Sequence, residues 1–274
     1  SQATPAAPRF IVEAMPQNRT LLQQTTTLKV ERVVLHAPSA QWSPDYVVAS
    51  PRLVLPASGA TEFRMAGQNV LLDGLTALSL PTGLLYQMKP CADAARTSIV
   101  VSAQPGVGHA LLASDAWALS PRAVWLLRRH WRAIGLGRAG ESTQVLLQTV
   151  LRYAPPVAPF QGRSAPAVQR AQRFMVARTA ATDATPWTLN DVADAACSSL
   201  FHLARSFRKH TGLSLHGYRQ RLRLATALQR LEEGERDIAA LAHELGYSSQ
   251  SHLGAAFVRE LGITPAQARR ELTA

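Results

Sequence analysis

The sequence predicts two domains: a mainly β N-terminal half closed by a helical hairpin, and an all-α C-terminal half carrying two helix-turn-helix units. Three observations support this. Apolar residues alternate in short strand-like runs up to about residue 101 and then shift to helical spacing. A proline-rich stretch without periodicity separates the halves. The helical half also contains an internal repeat. The expected boundaries are 9–154, a linker at 155–165, and 166–274.

Segments 27–35, 46–49, 52–55, 62–65, 77–80 and 98–101 are rich in β-branched and aliphatic residues. Turn-formers separate them: Ser58 with Gly59, the run from Ala66 to Asn69, Asp73 with Gly74, and the run from Pro81 to Gly83. Many short strands with regular turns indicate a small barrel or a sandwich.

Segment 121–132 then places Val124, Leu127 and Trp131 at helical spacing, with Trp125 and Leu126 widening the apolar side. Segment 141–153 places Val145, Leu146, Thr149 and Val150 on one expected face. The glycines from Gly135 to Gly140 break the helix between them, so the pair reads as a helical hairpin. Its apolar surface has two outlets, the parent domain or a second copy of the chain.

Beyond the linker, Ser199, His202, Leu203, Phe207 and Gly212 recur fifty positions later as Ser249, His252, Leu253, Phe257 and Gly262. Each copy parses as helix, turn, helix. Thr188 and Asp237 stand where the first helices open, Asp191 completes a box-like start, and Gly246 ends the second unit's first helix. Ser199 and Ser249 cap the second helices, because a side-chain oxygen satisfies free amides at a helix start. The pairs Leu203/Phe207 and Leu253/Phe257, spaced i and i+4, share a buried face. Gly212 and Gly262 stop those helices in the left-handed conformation. A helix over 215–233, with Leu222, Ala225, Leu228 and Leu231 inside, joins the units at about the spacing of successive major-groove faces.

Composition bounds the function. The 274 residues are 47% hydrophobic and 17% charged, with a formal net charge of +11. A chain this basic attracts polyanions, nucleic acid and anionic membrane alike. No apolar run reaches the roughly 20 residues of a membrane span. Residues 1–8 lack the basic-then-apolar pattern of a signal peptide, so a cytoplasmic location is expected. Cys91 and Cys197 have no zinc-type spacing. His36 and His109 form no His-x-His pair, and the Gly106–Gly108 turn is no phosphate loop. No metal, cofactor or catalytic role is therefore expected.

Base reading needs side chains on the solvent face near the start of each second helix. In the first unit these are Leu200, Phe201, Ala204 and Arg205, with Arg205 suited to bidentate bonding of guanine and Phe201 to thymine methyls. Packing against a neighbouring helix is the alternative for Phe201. In the second unit Ala255 replaces the counterpart of Arg205, leaving Gln250, Ser251 and His252. His252 has an alternative role as a phosphate or capping contact. Ser199, Arg208, Lys209, Ser249 and Arg259 are candidate phosphate contacts, whereas Arg219, Arg221, Arg269 and Arg270 are equally readable as solvated charge. Cys91 follows Lys89 and precedes Arg96, and positive neighbours lower a thiol pKa. It is thus a candidate oxidant or electrophile sensor, with an inert half-buried thiol as the alternative.

Phe207 to Gly212, Arg223 in the joining helix, Ile238-Ala239, Gly246-Tyr247, Phe257, and Gly262-Ile263-Thr264-Pro265 with Arg269 resemble the AraC/XylS family of transcription regulators. The resemblance covers about 165–274. It implies double-stranded DNA as partner, RNA polymerase as a further one, and a cupin-like regulatory barrel with dimerisation helices. It also places Phe201, Ala204 and Arg205 at base-contacting positions and gives Arg223 a structural part in fastening the joining helix. The expected effector is an unknown small molecule or redox signal, and a homodimer is an open expectation. The reading from another class is a small-molecule-binding or catalytic cupin protein with a merely structural helical tail.

Overall fold

A computed structural model describes residues 17–35, 41–91, 96–104, 116–138, 142–157, 165–181 and 186–274. The strands are β1 (Gln17–Gln24), β2 (Leu28–Leu35), β3 (Tyr46–Val47), β4 (Arg52–Ser58), β5 (Thr61–Met65), β6 (Gln68–Leu72), β7 (Thr76–Leu80), β8 (Leu85–Pro90), β9 (Arg96–Ala103) and β10 (Ala116–Ala118). They form a six-stranded sheet in the order β1-β2-β9-β4-β7-β10 and a four-stranded sheet in the order β3-β8-β5-β6. The paired strands are antiparallel.

The six-stranded sheet is a middle layer. Leu53 and Leu55 of β4, and Ile99 and Val101 of β9, join the core shared with the helices. Val54 and Val100, between them in sequence, face the four-stranded sheet and pack with Phe63, Met65 and Met88. Period-two alternation thus buries both sets, which explains why these strands read as nearly unbroken apolar runs. Among the described residues the expected barrel does not close. Its outer strands β3 and β10 pair over only two and three residues, so the hydrogen-bond ladders end there.

The expected turn from Ala66 to Asn69 is shorter in the structure. Ala66 and Gly67 alone turn the chain, at φ +47° and +74°. Met65 pairs with Gln68, so Gln68 and Asn69 begin β6. Two consecutive positive φ values match the twist of a two-residue hairpin.

Helix α1 (Pro121–Gly135) opens with Pro121 behind Ser120, whose hydroxyl oxygen accepts from the Ala123 amide. Helix α2 (Thr143–Arg152) buries Thr143, Leu146, Leu147, Val150 and Leu151. This corrects the face expected from sequence: Val145 is 49% exposed, and Thr149 also faces outward. The true stripe follows i, i+1, i+4, i+5 from Leu146, which packs against α1 and the sheet. Of the expected linker, residues 158–164 lie outside the described residues. Pro155 to Val157 run beside β10, with Ala118 N donating to Pro155 O at 2.9 Å and Val157 N to Ala116 O at 2.9 Å.

The remaining helices are α3 (Ala165–Ala180), α4 (Leu189–Ala195), α5 (Leu200–Thr211), α6 (Leu215–Glu232), α7 (Ile238–Glu244), α8 (Gln250–Leu261) and α9 (Pro265–Thr273). Their core is continuous with the outer face of the middle sheet. Polar bridges cross the same boundary. Tyr218 of α6 donates its hydroxyl to Asp73 Oδ2. Arg128 of α1 binds both Glu232 of α6 and the Ala57 carbonyl. Arg173 of α3 pairs with Glu62 of β5.

Asp73 is fully buried, and its Oδ1 also accepts from Leu75 N and Thr76 Oγ1, each at 2.8 Å. Burial pushes its carboxyl above the ordinary 3.8, against the opposing pull of these hydrogen bonds. The folded state therefore retains a proton that the unfolded chain has released. The resulting contribution to stability is complete below 3.8 and is lost as pH rises through the raised value. Thermal midpoints measured across that window should fall with rising pH in the native chain and stay flatter in Asp73→Asn. Parallel profiles for the two proteins would contradict this.

Candidate nucleic-acid interface

Two units of the same construction present α5 and α8. In the first, Thr188 caps α4 in a reciprocal box with Asp191, whose carboxylate is lowered by hydrogen bonds from Thr188. Val192, Ala193 and Ala196 are buried under α5, and Leu203 and Phe207 of α5 are fully enclosed. In the second, Asp237 caps α7 by accepting from Ala240 N at 2.8 Å. Leu241 and Ala242 are buried there, as are Leu253 and Phe257 of α8.

The second helices open with the same cap hydrogen bond. The Ser199 oxygen accepts from His202 N at 3.3 Å, and the Ser249 oxygen from His252 N at 3.1 Å. Both end in left-handed glycines, Gly212 at φ +73° and Gly262 at +77°. The serine hydroxyl hydrogens and the first free amides lie at the positive ends of the helices, where a phosphate is favoured.

The repeat is not uniform. The second helices and their glycine stops are 50 positions apart, but the caps Thr188 and Asp237 are 49 apart. The second turn is one residue longer. Cys197, at φ +50°, is followed by two residues before α5, whereas Gly246, at φ +74°, is followed by three before α8. The inserted Tyr247 is buried. Its ring meets His252 edge-on at 5.2 Å, and the Arg223 guanidinium carbon lies 5.5 Å from the ring centroid. The φ of Gly246 favours glycine, and a Cβ there would stand 2.4 Å from Arg223 Nη2 and displace that guanidinium. Arg223 is itself buried, which lowers it to about 10, and it fastens α6 to this turn. Arg170 of α3 braces the first turn instead, donating to the Ala196 carbonyl at 2.7 Å.

On α5, Phe201 is 82% exposed and packs against no neighbouring helix. Arg205, Arg208 and Lys209 are exposed on the adjoining surface, and none is held by a carboxylate among the described residues. Ala204 is half-buried at the edge of this face. On α8, Gln250, Ser251, His252 and Ala255 are exposed. Ser248 Oγ lies 3.1 Å from Nδ1 of the exposed His252. Arg259 is exposed but pairs with Glu260 at 3.0 Å.

The structure thus gathers the first-unit candidates on one free helix face and the second-unit candidates on another. His202, the exposed counterpart of His252, was missed as a candidate although the fifty-residue offset pointed to it. Several other cations have structural partners. Arg219 stacks 3.9 Å over Trp187, and Arg269 donates to the Arg236 carbonyl at 2.9 Å.

Cys91 lies elsewhere, half-buried at the end of β8. Burial raises its thiol to about 11, outweighing the opposite pull of Arg96 and Lys89. This corrects the expectation of an activated thiolate: desolvation exceeds the charge effect. From 9.0 to about 11, the thiolate fraction at neutral pH drops about 100-fold. In the native protein, iodoacetamide should label exposed Cys197 well before Cys91, as read by peptide mass spectrometry; equal rates would overturn this. His36, His109 and Gly106–Gly108 lie outside the described residues. Among the described residues no group of three His, Cys, Asp or Glu side chains is placed to hold a metal, and no helix is long and apolar enough to cross a membrane.

The helical half is similar to known proteins. Residues 192–271 match the family model described as a helix-turn-helix domain. Over 90 residues the chain is 39% identical to an AraC-like transcription regulator of Streptomyces lividans, covering 33% of this chain and 30% of that protein. It is 30% identical over 95 residues to the HTH-type transcriptional activator RhaR of Escherichia coli, covering 35% and 34%. Among solved structures, the C-terminal domain of AraT, a response regulator from Geobacillus stearothermophilus, aligns at a TM-score of 0.35 and 28% identity, over 40% of this chain and 88% of that one. The matched region spans about a third of the length of these two curated relatives.

Proposed function

We propose that this chain, whose C-terminal domain is similar to those of AraC-like regulators, is a sequence-specific DNA-binding transcription regulator and not an enzyme. One observation carries the reading: two capped helices with exposed faces, α5 and α8, belong to units that the single helix α6 joins, α5 directly before it and α8 after it by way of α7. At ~1.5 Å per residue the 18 residues of α6 span about 27 Å. Successive major-groove faces are about 34 Å apart, and the bodies of the reading helices supply the remainder.

In this reading Phe201, Ala204 and Arg205 read bases in one groove segment, and Gln250, Ser251 and His252 face the next. Ser199, Arg208, Lys209, Ser249 and Arg259 fix the register on phosphates. The β half senses a signal, and its docking on α6 biases which arrangement of the two units is populated. RNA polymerase is the downstream partner, the setting is the cytoplasm, and the outward Val145–Thr149 face of α2 is where a second copy would pack.

The test is selection of binding sites from randomised duplexes by the full chain, followed by fluorescence anisotropy over a salt series. The three cationic phosphate contacts at about 0.9 each predict a log–log salt slope of roughly −3 on the selected site. No enriched sequence, together with a flat salt response, would eliminate the reading.

A further inference from the structure

Where the β half meets α3 and α6 there is a cavity of about 300 Å³. Its walls come from both sides of the boundary: the chain around Ala57 and Gly59, with Cys91, from the sheets, and Ala177, Ala225 and Thr226 from the helices. The space exists because alanines stand where larger side chains would meet. Its lining is mainly apolar, and its size falls at the lower end for small-molecule sites.

The charge around it is unbalanced. Arg128 lines the cavity, is 5% exposed, and has an Nε with no hydrogen-bond partner. Its terminal nitrogens go to Glu232 and the Ala57 carbonyl. Behind the Gly59 wall lies Arg96, 3% exposed, with Nε and Nη1 unpartnered among the described residues. A Cβ at Gly59 would stand only 2.7 Å from Arg96 Cγ, so that wall is as thin as a backbone allows. Among the described residues these two buried guanidinium groups therefore have one carboxylate partner, Glu232 on Arg128, beside an apolar cavity. A buried cation short of partners favours an added anion.

We propose that this cavity is a ligand site for a small amphipathic anion. The apolar body lies against the alanines of α3 and α6, and its carboxylate takes Arg128 in exchange for Glu232. Because Glu232 belongs to α6, the exchange releases one of the polar bridges that hold the joining helix to the sensor half. Occupancy stands without the DNA-binding reading; only the coupling to DNA rests on it.

Octanoate and 1-octanol serve as probes of the DNA-free full chain by titration calorimetry. Ala177→Trp, which fills the cavity from an exposed position, should weaken both by at least tenfold. Arg128→Gln should weaken octanoate alone. Glu232→Gln, which removes the internal competitor and keeps the side-chain shape, should tighten octanoate several-fold. Saturating octanoate should also slow alkylation of Cys91 and leave Cys197 unaffected, a readout that needs no substitution. Octanoate affinity unchanged in Ala177→Trp and Glu232→Gln, or no protection of Cys91, would overturn the site. Occupancy without any change in affinity for the selected duplex would overturn the coupling, and failure of the duplex to bind at all would count against the DNA reading only.

Discussion

Phe207→Ala is expected to lower the stability of the helical half by about 3–5 kcal/mol, the range for truncating a large aromatic side chain in a close-packed core. Phe207 is fully buried on α5 and its ring meets Tyr218 edge-on at 5.3 Å. Removing the ring leaves a void under the first reading helix and loosens Tyr218, whose hydroxyl is committed to Asp73 across the domain boundary. Domains have only about 5–15 kcal/mol in hand, so such a loss is a large fraction of the total. Its repeat partner Phe257 is equally buried, but among the described residues no aromatic ring contact links it to Tyr218. Phe257→Ala should therefore cost a similar amount and leave the pH profile attributed to Asp73 unchanged, whereas Phe207→Ala should alter it. Denaturant melts of both variants test this. A loss under 1 kcal/mol for Phe207→Ala would mean that the core collapses around the void.

The second large effect falls on binding. Arg205→Ala should weaken the selected duplex by roughly 5- to 150-fold, corresponding to the ~1–3 kcal/mol of a bidentate guanine contact. A scrambled duplex should lose only the share due to one phosphate-range charge. Gln250→Ala should have the smaller effect, because α8 presents Ala255 where α5 presents Arg205 and its Arg259 is already paired. Anisotropy at one fixed salt concentration compares the two variants. If Arg205→Ala weakens the selected site no more than Gln250→Ala does, the two units share the readout and the proposed inequality is wrong.

Local chemistry was legible in advance wherever it obeys a short-range rule. The serine caps at Ser199 and Ser249, the left-handed glycines at Gly212 and Gly262, and the enclosed Leu203–Phe207 and Leu253–Phe257 pairs all follow from spacing and cap chemistry. Strands buried on both faces, such as β4 and β9, are apolar enough to be seen. β1 was not, because an exposed edge strand reading Gln-Asn-Arg-Thr-Leu-Leu-Gln-Gln needs few apolar residues. The face of α2 was misread because several phases fit so short a run of aliphatic residues, and only its neighbours choose among them. The bridges across the boundary had no sequence signal at all. Arg128 and Glu232 are 104 positions apart, and Asp73 and Tyr218 are 145 apart, so no periodicity links them. The same holds for Cys91, whose charged neighbours are visible in sequence and whose burial is not.

The unequal turns decide which pieces of this molecule are interchangeable. From Ser199 to Gly212 and from Ser249 to Gly262 the chain has the same length, the same cap at one end and the same glycine stop at the other. A graft cut at those serines and glycines would move a reading surface from one socket to the other without shifting the chain on either side. A graft that also carried α4 or α7 would be out of step by the Tyr247 position and would leave Arg223 facing the wrong turn. If the proposed DNA reading holds, the serine–glycine segment, smaller than the visible repeat, is the modular unit for reprogramming sequence preference.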